Sequence, residues 1–287
     1  MYRYIRPYLK FVYGIVRTVA LWVERVALWL FSGALSILPT RFLLGVRQRT
    51  QVVRRTDYKL PLHMYVDSRI ELETRLREVE KEPETVQWIE EWFQPGDVFY
   101  DIGANVGSYS LIATRFLQGN IRVFAFEPSF MNFSKLCRNI ALNNVQDQVT
   151  PFQIALYDQN AVVPFHYYSM DSGSALHSLG LPQNWRGDDF TPSFSLPTIS
   201  FPLDDFVRQF AIAPPNHLKV DVDGVEYQIL QGAKGILAGP ELRSILIEAN
   251  EDYVYANELK ALFEEFDWVL QSRSGYLGEN CLFVRKS

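Results

Sequence analysis

The sequence predicts an α/β fold of the Rossmann-like kind, a mostly parallel seven-stranded sheet with an antiparallel last strand, preceded by a helical segment of different character. Three observations carry that expectation. From residue 98 onward, apolar runs of strand length alternate with amphipathic runs of helix length. A glycine-bearing loop, Asp101-Ile-Gly-Ala-Asn-Val-Gly107, joins the first such strand to the first such helix. The last two strands are separated only by Ser274-Gly-Tyr-Leu-Gly-Glu279, a link that suits antiparallel neighbours at a sheet edge.

Residues 1–55 stand apart by charge. They hold ten Arg or Lys against the single acid Glu24, a balance of +9, so the rest of the chain, with 18 bases and 32 acids, carries −14 within an overall −5. At about 100° per residue, Arg3, Lys10, Arg17 and Glu24 fall on one stripe, with Arg6 and Arg25 within a turn of it. Ile5, Val12, Val16, Val19 and Val23 occupy the opposite side, and Tyr2, Tyr4, Tyr8, Tyr13, Trp22 and Trp29 are aromatics of the kind that settle at a lipid interface. The uncharged run from Val26 to Leu38 stops at Pro39 and is too short to span a bilayer. The pattern therefore predicts a basic amphipathic helical segment lying on the cytoplasmic face of a membrane, its charges toward anionic head groups. Packing on the same protein or on a second subunit is the alternative use of that face. A secretory signal is disfavoured by Arg17 and by the lack of a small-x-small cleavage site.

Residues 56–96 read as a helical lead-in, with helices over Arg69–Val79 and Glu84–Phe93 and a turn at Gln94-Pro-Gly-Asp97. Residues 97–287 read as the α/β domain. Strands are expected at 98–102, 122–126, 149–155, 217–222, 244–249, 267–272 and 280–285, and helices near 107–117, 129–143, 225–236 and 256–266. Residues 157–205 are less regular, interrupted by Pro164, Gly173, Gly180, Pro182, Gly187, Pro192 and Pro197. Such an excursion inside an α/β domain is usually a lid or a substrate-binding insertion.

The glycine loop has the form of a nucleoside-cofactor cradle. The first strand ends in Asp101, Gly103 and Gly107 let the backbone turn sharply, and the next strand ends at Glu127, where a carboxylate can accept ribose hydroxyls. A dinucleotide loop would be Gly-x-Gly-x-x-Gly, whereas position 105 is Asn and the pattern is Asp-x-Gly-x-x-x-Gly. Asp101 would repel a pyrophosphate but suits the cationic amino group of a methionyl moiety, so the spacing favours S-adenosylmethionine, which carries no phosphate.

Other chemistries are disfavoured. The acidic bulk argues against a nucleic-acid partner. Cys137 and Cys281 lack Cys-x-x-Cys spacing and read as buried thiols in a reducing compartment, and His63, His166, His177 and His217 are scattered, so no metal is expected.

A second acidic constellation, Leu218-Lys-Val-Asp-Val-Asp-Gly-Val-Glu-Tyr227, places Asp221 at a strand end and Glu226 at the start of a helix. In an open parallel sheet, ligands collect at those carboxyl ends, which sets Asp221 and Asp223 beside the crevice that holds Gly103. Capping of the helix by Asp223 and Glu226 is the plainer reading of those two.

Taken in order, Asp101-Ile-Gly-Ala-Asn-Val-Gly-Ser-Tyr-Ser110, Ala125-Phe-Glu-Pro128, Leu136-x-x-Asn-Ile-Ala-Leu-Asn143, Ile154-Ala-Leu-Tyr-Asp158, the Asp221 segment and Ile245-Leu-Ile-Glu248 resemble the FkbM family of S-adenosylmethionine-dependent methyltransferases over roughly residues 97–285. The resemblance implies a class I methyltransferase fold and methyl transfer to a hydroxyl of a saccharide, glycolipid or polyketide-type acceptor. It implies cofactor contacts at Asp101, Gly103, Asn105, Gly107 and Glu127, with Asp158 on the adenine side. Asp223 stands where the family more often has Glu, and residues 1–55 lie outside the resemblance. Methyl transfer needs alignment and a proton acceptor, for which Asp221 is the first candidate and His177 the second. Two rivals are an NAD-dependent oxidoreductase, which lacks its third glycine here, and a non-catalytic membrane-associated scaffold, which would not keep every cofactor-side position filled.

Overall fold

The computed structural model describes residues 22, 23, 25–27, 29, 30, 32, 33, 38–249, 252–275 and 280–286. Of the expected stripe, Arg3, Arg6, Lys10, Arg17 and Glu24 lie outside them. The chain divides into two units, Met1–Gln51 and Val52–Ser287. In the first, the described positions between 22 and 33 are helical, and α1 spans Thr40–Arg49, directly after Pro39. Among the described residues no helix is long and apolar enough to cross a membrane.

The second unit starts with a short antiparallel hairpin, β1 (Val53–Arg55) and β2 (His63–Tyr65), that the sequence reading took for the end of the basic segment and part of a helical lead-in. The helix expected over 69–79 is broken. It forms α2 (Arg69–Glu73), a single 3₁₀ turn at Arg75–Arg77 and α3 (Glu78–Lys81), because Thr74 leaves helical geometry at φ −120° and ψ −60°. A capping box opens α2, with the Ser68 hydroxyl accepting from Glu71 N and the Glu71 carboxylate accepting from Ser68 N. Helix α4 (Pro83–Trp92) begins on proline, whose missing N–H costs nothing in a first turn.

The remaining elements are β3 (Val98–Ile102), α5 (Ser108–Phe116), β4 (Arg122–Phe126), α6 (Phe130–Leu142), β5 (Val149–Phe152), β6 (Ala155–Leu156), β7 (Ala161–Tyr167), β8 (Ser178–Leu179), β9 (Phe194–Phe201), α7 (Leu203–Phe210), β10 (His217–Val220), α8 (Glu226–Gln231), α9 (Lys234–Ala238), β11 (Ser244–Glu248), α10 (Ala256–Glu265), β12 (Trp268–Ser274) and β13 (Asn280–Arg285). The seven-stranded sheet runs β12-β13-β11-β10-β3-β4-β5. All its pairings are parallel except those of β13, which is antiparallel to both neighbours. This is the Rossmann-like class I methyltransferase order, with its antiparallel last strand.

Alternation divides the strands between two cores. Phe99, Val123, Ala125 and Leu246 face one side, packed with Trp88, Ile89 and Phe93 of the lead-in and with Leu111 and Ile112 of α5. Val98, Tyr100, Ile102, Leu218, Val220, Ile245 and Ile247 face the other, under Ile229, Leu230 and Phe263. The expected helix 225–236 is two short ones, broken around Gly232, which lies so close to Tyr157 and Pro202 that a Cβ there would sit 2.3 Å from the Tyr157 carbonyl oxygen.

The stretch read as irregular contains a second sheet of its own, ordered β6-β9-β7-β8. Pro164 and Pro197, read as breakers, sit opposite each other in the β7–β9 register. Neither offers an N–H, so they share a position where that ladder needs none.

Candidate functional site

A narrow cleft, partly open to solvent, lies at the carboxyl ends of β3, β4 and β10. Gly103, Asn105, Glu127, Asn132, Ser174, His177, Asp221 and Asp223 line it, with Ile102, Phe126, Ile154, Leu156 and Phe165 supplying apolar wall. It therefore joins the glycine loop, the Asp221 turn and the Ser172–Leu179 segment leading into β8, as a crevice at a topological switch point should.

The two loop glycines are there for packing inside the protein as much as for any ligand. Gly103 adopts φ +79°, and a Cβ on it would lie 1.8 Å from the Asp221 carbonyl oxygen. At Gly107, φ +92°, a Cβ would meet the Leu136 side chain at 2.6 Å. The first glycine thus lets the β3 and β10 loops touch, and the second lets α5 start against α6.

Asp101 is fully buried in β3 and does not line the cavity. Its Oδ2 accepts from Ser110 N at 3.1 Å and Ser110 Oγ at 2.6 Å, pinning the first turn of α5, while Oδ1 is buried with no partner. Burial raises its pKa, opposed by the Lys219 charge on the neighbouring strand. Glu127, just past β4, does line the cavity. Its Oε2 accepts from Asn105 N at 2.8 Å and its Oε1 from Ser129 N at 2.9 Å, and burial pushes it up to about 7 against those two backbone donors. Asn105, at φ 50°, donates from Nδ2 to the Ser174 carbonyl at 2.9 Å, and its buried Oδ1 has no partner. Asp158 is not brought to this site. It is exposed in the β6–β7 turn, away from the cavity lining.

The β10 end is built differently. Asp221 Oδ2 accepts from Lys219 Nζ, and the Glu248 carboxyl at the end of β11 hydrogen-bonds to the same side chain. Burial disfavours the Asp221 charge, but Lys219 and the Glu248 hydrogen bond overcome it and hold Asp221 far below the usual carboxylate range. Asp221 in turn, with burial and the shared hydrogen bond, drives Glu248 well up. Lys219 is 2% exposed, faces Asp101 in the β3–β10 register, and lies 4.9 Å over the Tyr109 ring. Asp223, at φ 66°, accepts from Leu176 N at 2.6 Å, and Glu226 accepts from Val222 N and Gly224 N at 3.3 and 3.1 Å. Burial pushes Asp223 up to about 6 and Glu226 to about 7, the first with further help from Asp221.

His177 lines the cavity 7% exposed, with Nδ1 accepting from Tyr168 N at 3.2 Å. Burial, and the Arg75 charge after it, lower it to about 4, so at neutral pH it is an uncharged ring whose accepting nitrogen is already used. That geometry makes it a poor proton acceptor.

The profile described as the methyltransferase FkbM domain matches residues 101–276, more than half of the chain. The chain belongs to the FkbM methyltransferase family. It is 26% identical over 178 residues to the hexuronic acid methyltransferase AglP of Haloferax volcanii, covering 62% of this chain and 67% of that one. It is 28% identical, again over 178 residues, to the 31-O-demethyl-FK506 methyltransferase FkbM of Streptomyces tacrolimicus, covering 55% and 67%. Among solved structures, a methyltransferase FkbM from Methylobacillus flagellatus is similar at 16% identity and a TM-score of 0.47, over 67% of this chain and 44% of that one, so the chain spans under half of that protein's length.

Two residues that matter to this methyltransferase site escaped the motif reading. Lys219 stood inside a quoted motif, and the signal was a charge in the middle of a strand buried on both faces. Arg75 had none. It reaches the site from the lead-in, donating from Nε to the Gly173 carbonyl and from Nη1 to Glu78 Oε1, both at 2.9 Å.

Proposed function

We propose that this methyltransferase uses S-adenosylmethionine and methylates a hydroxyl oxygen of a saccharide, glycolipid or polyketide-type acceptor. The observation that carries the reading is Glu127. Each of its oxygens takes one backbone N–H, and Asn132 adds one side-chain hydrogen bond, which leaves the carboxylate acceptor capacity for a hydroxyl such as ribose presents. The unpartnered buried Oδ1 of Asn105 calls for a donor on the same ligand, and Phe126, Ile154 and Leu156 form an apolar wall suited to a purine. Asp221 and Asp223 favour a cationic ligand end and disfavour a pyrophosphate, which speaks against the NAD reading. S-Adenosylmethionine, when bound, supplies an activated methyl group; the chain's part is to hold it, exclude water and take up the hydroxyl proton. The saccharide and polyketide options rest on what the two relatives are named for.

Calorimetry with S-adenosylhomocysteine and NAD tests the cofactor. Binding of the first and not the second is expected, and the reverse would overturn the reading. A screen of saccharide, glycolipid and polyketide acceptors with a radiolabelled methyl donor then identifies the acceptor class.

We also propose that residues 1–51 rest on an anionic membrane surface. Trp22, Trp29 and Phe42 are exposed at 66%, 74% and 55%, beside Arg25, Arg41, Arg47 and Arg49. Full-length protein should float with anionic vesicles, increasingly weakly as salt is added, and protein lacking residues 1–51 should not. Equal flotation of both would assign the segment to packing instead.

A further inference from the structure

We propose that Asp223 is the proton acceptor of the methyl-transfer step, and that Asp221 is a fixed, ion-paired charge beside it. This rests on the O-methylation reading above.

Three carboxylates line the cavity: Glu127, Asp221 and Asp223. Glu127 is committed to the loop through Asn105 N and Ser129 N. Asp221 is held between the Lys219 ammonium and the Glu248 carboxyl, and a carboxylate so stabilised as an anion has little affinity for a proton. Asp223 carries no ammonium partner of that kind. It receives the Leu176 N–H on Oδ2, between the lining residues Ala175 and His177.

Both ends of that hydrogen bond are strained. Asp223 at φ 66° and Leu176 at φ 62° are non-glycine residues in the left-handed region, and Leu176 has no side-chain hydrogen bond to compensate it there. The insertion also lies close over the next residue of the turn, since a Cβ on Gly224 would lie 3.3 Å from the Trp185 backbone. Backbone strain of this kind persists where surrounding structure enforces it, characteristically at functional sites. Here it fixes Asp223 at the cavity edge with the insertion closed around it.

The charges facing Asp223 come from five elements. Asp221 from β10 opposes its ionisation, while Arg75 from the 3₁₀ turn and Lys81 from α3 favour it. Glu226 of α8 and Glu248 of β11 are two further acids coupled to it through space. The balance, dominated by burial, is a carboxylate near 6, ionised at neutral pH yet basic enough to accept a proton as it is released. In the step, the hydroxyl oxygen forms a bond to the methyl carbon as the sulfur–carbon bond breaks. The electron pair of that bond stays on sulfur, which becomes a neutral thioether, and the hydroxyl proton passes to Asp223.

Carboxyl-detected NMR of ¹³C-labelled full-length protein, with Asp223 assigned by comparison with Asp223→Asn, tests this without any acceptor. Asp223 should titrate near pH 6, while Asp221 stays ionised to the acid limit of the folded state. Titration of Asp223 at or below its ordinary 3.8 would overturn the assignment. Kinetics with methyl glucuronide as probe acceptor add the second arm. Asp223→Asn should lower kcat by about 10²–10⁴-fold, with S-adenosylhomocysteine affinity within about threefold of the parent, and Asp223→Glu should restore at least about tenfold of the loss. The parental rate should rise with pH through about 6 to a plateau. Normal S-adenosylhomocysteine binding with parental turnover in Asp223→Asn would defeat this proposal alone; no binding in the parent would defeat the cofactor reading.

Discussion

The ends of β4 and β10 carry the same feature, an acid just past a buried strand and opening on one cavity, yet they hold it in opposite ways. Glu127 is met by backbone N–H groups and sits near neutrality, whereas Asp221 is met by an ammonium and a carboxyl and is locked as an anion. The difference traces to the residue two positions earlier, on the same face of the strand: Ala125 before Glu127, Lys219 before Asp221. A small residue leaves the carboxylate to backbone dipoles and to a ligand. A lysine there consumes it.

The largest expected effect comes from removing that lysine. Lys219→Met leaves Asp221 facing Glu248 and Asp101 without a cation, and breaking a buried pair in this way costs several kcal/mol. Because Asp221 keeps 29% of its side-chain surface, about 3 kcal/mol is expected, at the low end of the usual range. Urea denaturation measures it, and a loss below about 1 kcal/mol would mean that the two strand ends are not so different after all.

Glu127 should respond in binding more than in stability. Glu127→Ala should weaken S-adenosylhomocysteine by about 1.5–3 kcal/mol, the cost of losing hydrogen bonds to a charged acceptor, and unchanged calorimetric affinity would remove the ribose assignment. Its pH signature has the opposite sign to that of Asp221. A folded-state value near 7, above the ordinary 4.5, means that the folded protein holds this proton more tightly. Its stabilisation is complete below about pH 4.5 and fades as pH rises through 7, so Glu127→Gln should flatten that part of the stability curve. Asp221, lowered, contributes above its unfolded value and loses that only as pH falls through its folded one.

Most of the sheet was legible because its central strands β3, β10 and β11 are buried on both faces and the others carry short apolar runs between turn signals. Residues 98–102, 122–126 and 280–285 match β3, β4 and β13 at both ends. The second sheet was not, because Pro164 and Pro197 look like breakers until their pairing is seen. The Gly103 to Glu127 half of the site followed from local spacing. Arg75 and Ser174 did not, since only tertiary contact brings a lead-in arginine to Gly173 and the Ser174 carbonyl to Asn105 and Asn132. Asp158 came from the family resemblance alone; β5 stops at Phe152, so Asp158 follows the short strand β6 of the second sheet and does not line the cavity.

The smallest effect is expected at His177, which lies between the two strand ends and is claimed by neither. Burial and Arg75 keep it uncharged down to about pH 4, and the Tyr168 N–H already occupies Nδ1. It therefore contributes no titration between pH 5 and 8 and has no free basic nitrogen to offer a hydroxyl. His177→Ala should remove one hydrogen bond and some ring packing against Phe165 and Tyr167, a loss of about 1–2 kcal/mol in stability. Turnover should fall less than about tenfold, with the pH dependence of the rate unmoved. A fall of a hundredfold or more that also erased the acid limb of the profile would give the proton to His177, and the strand-end carboxylates would then divide between them only binding and support.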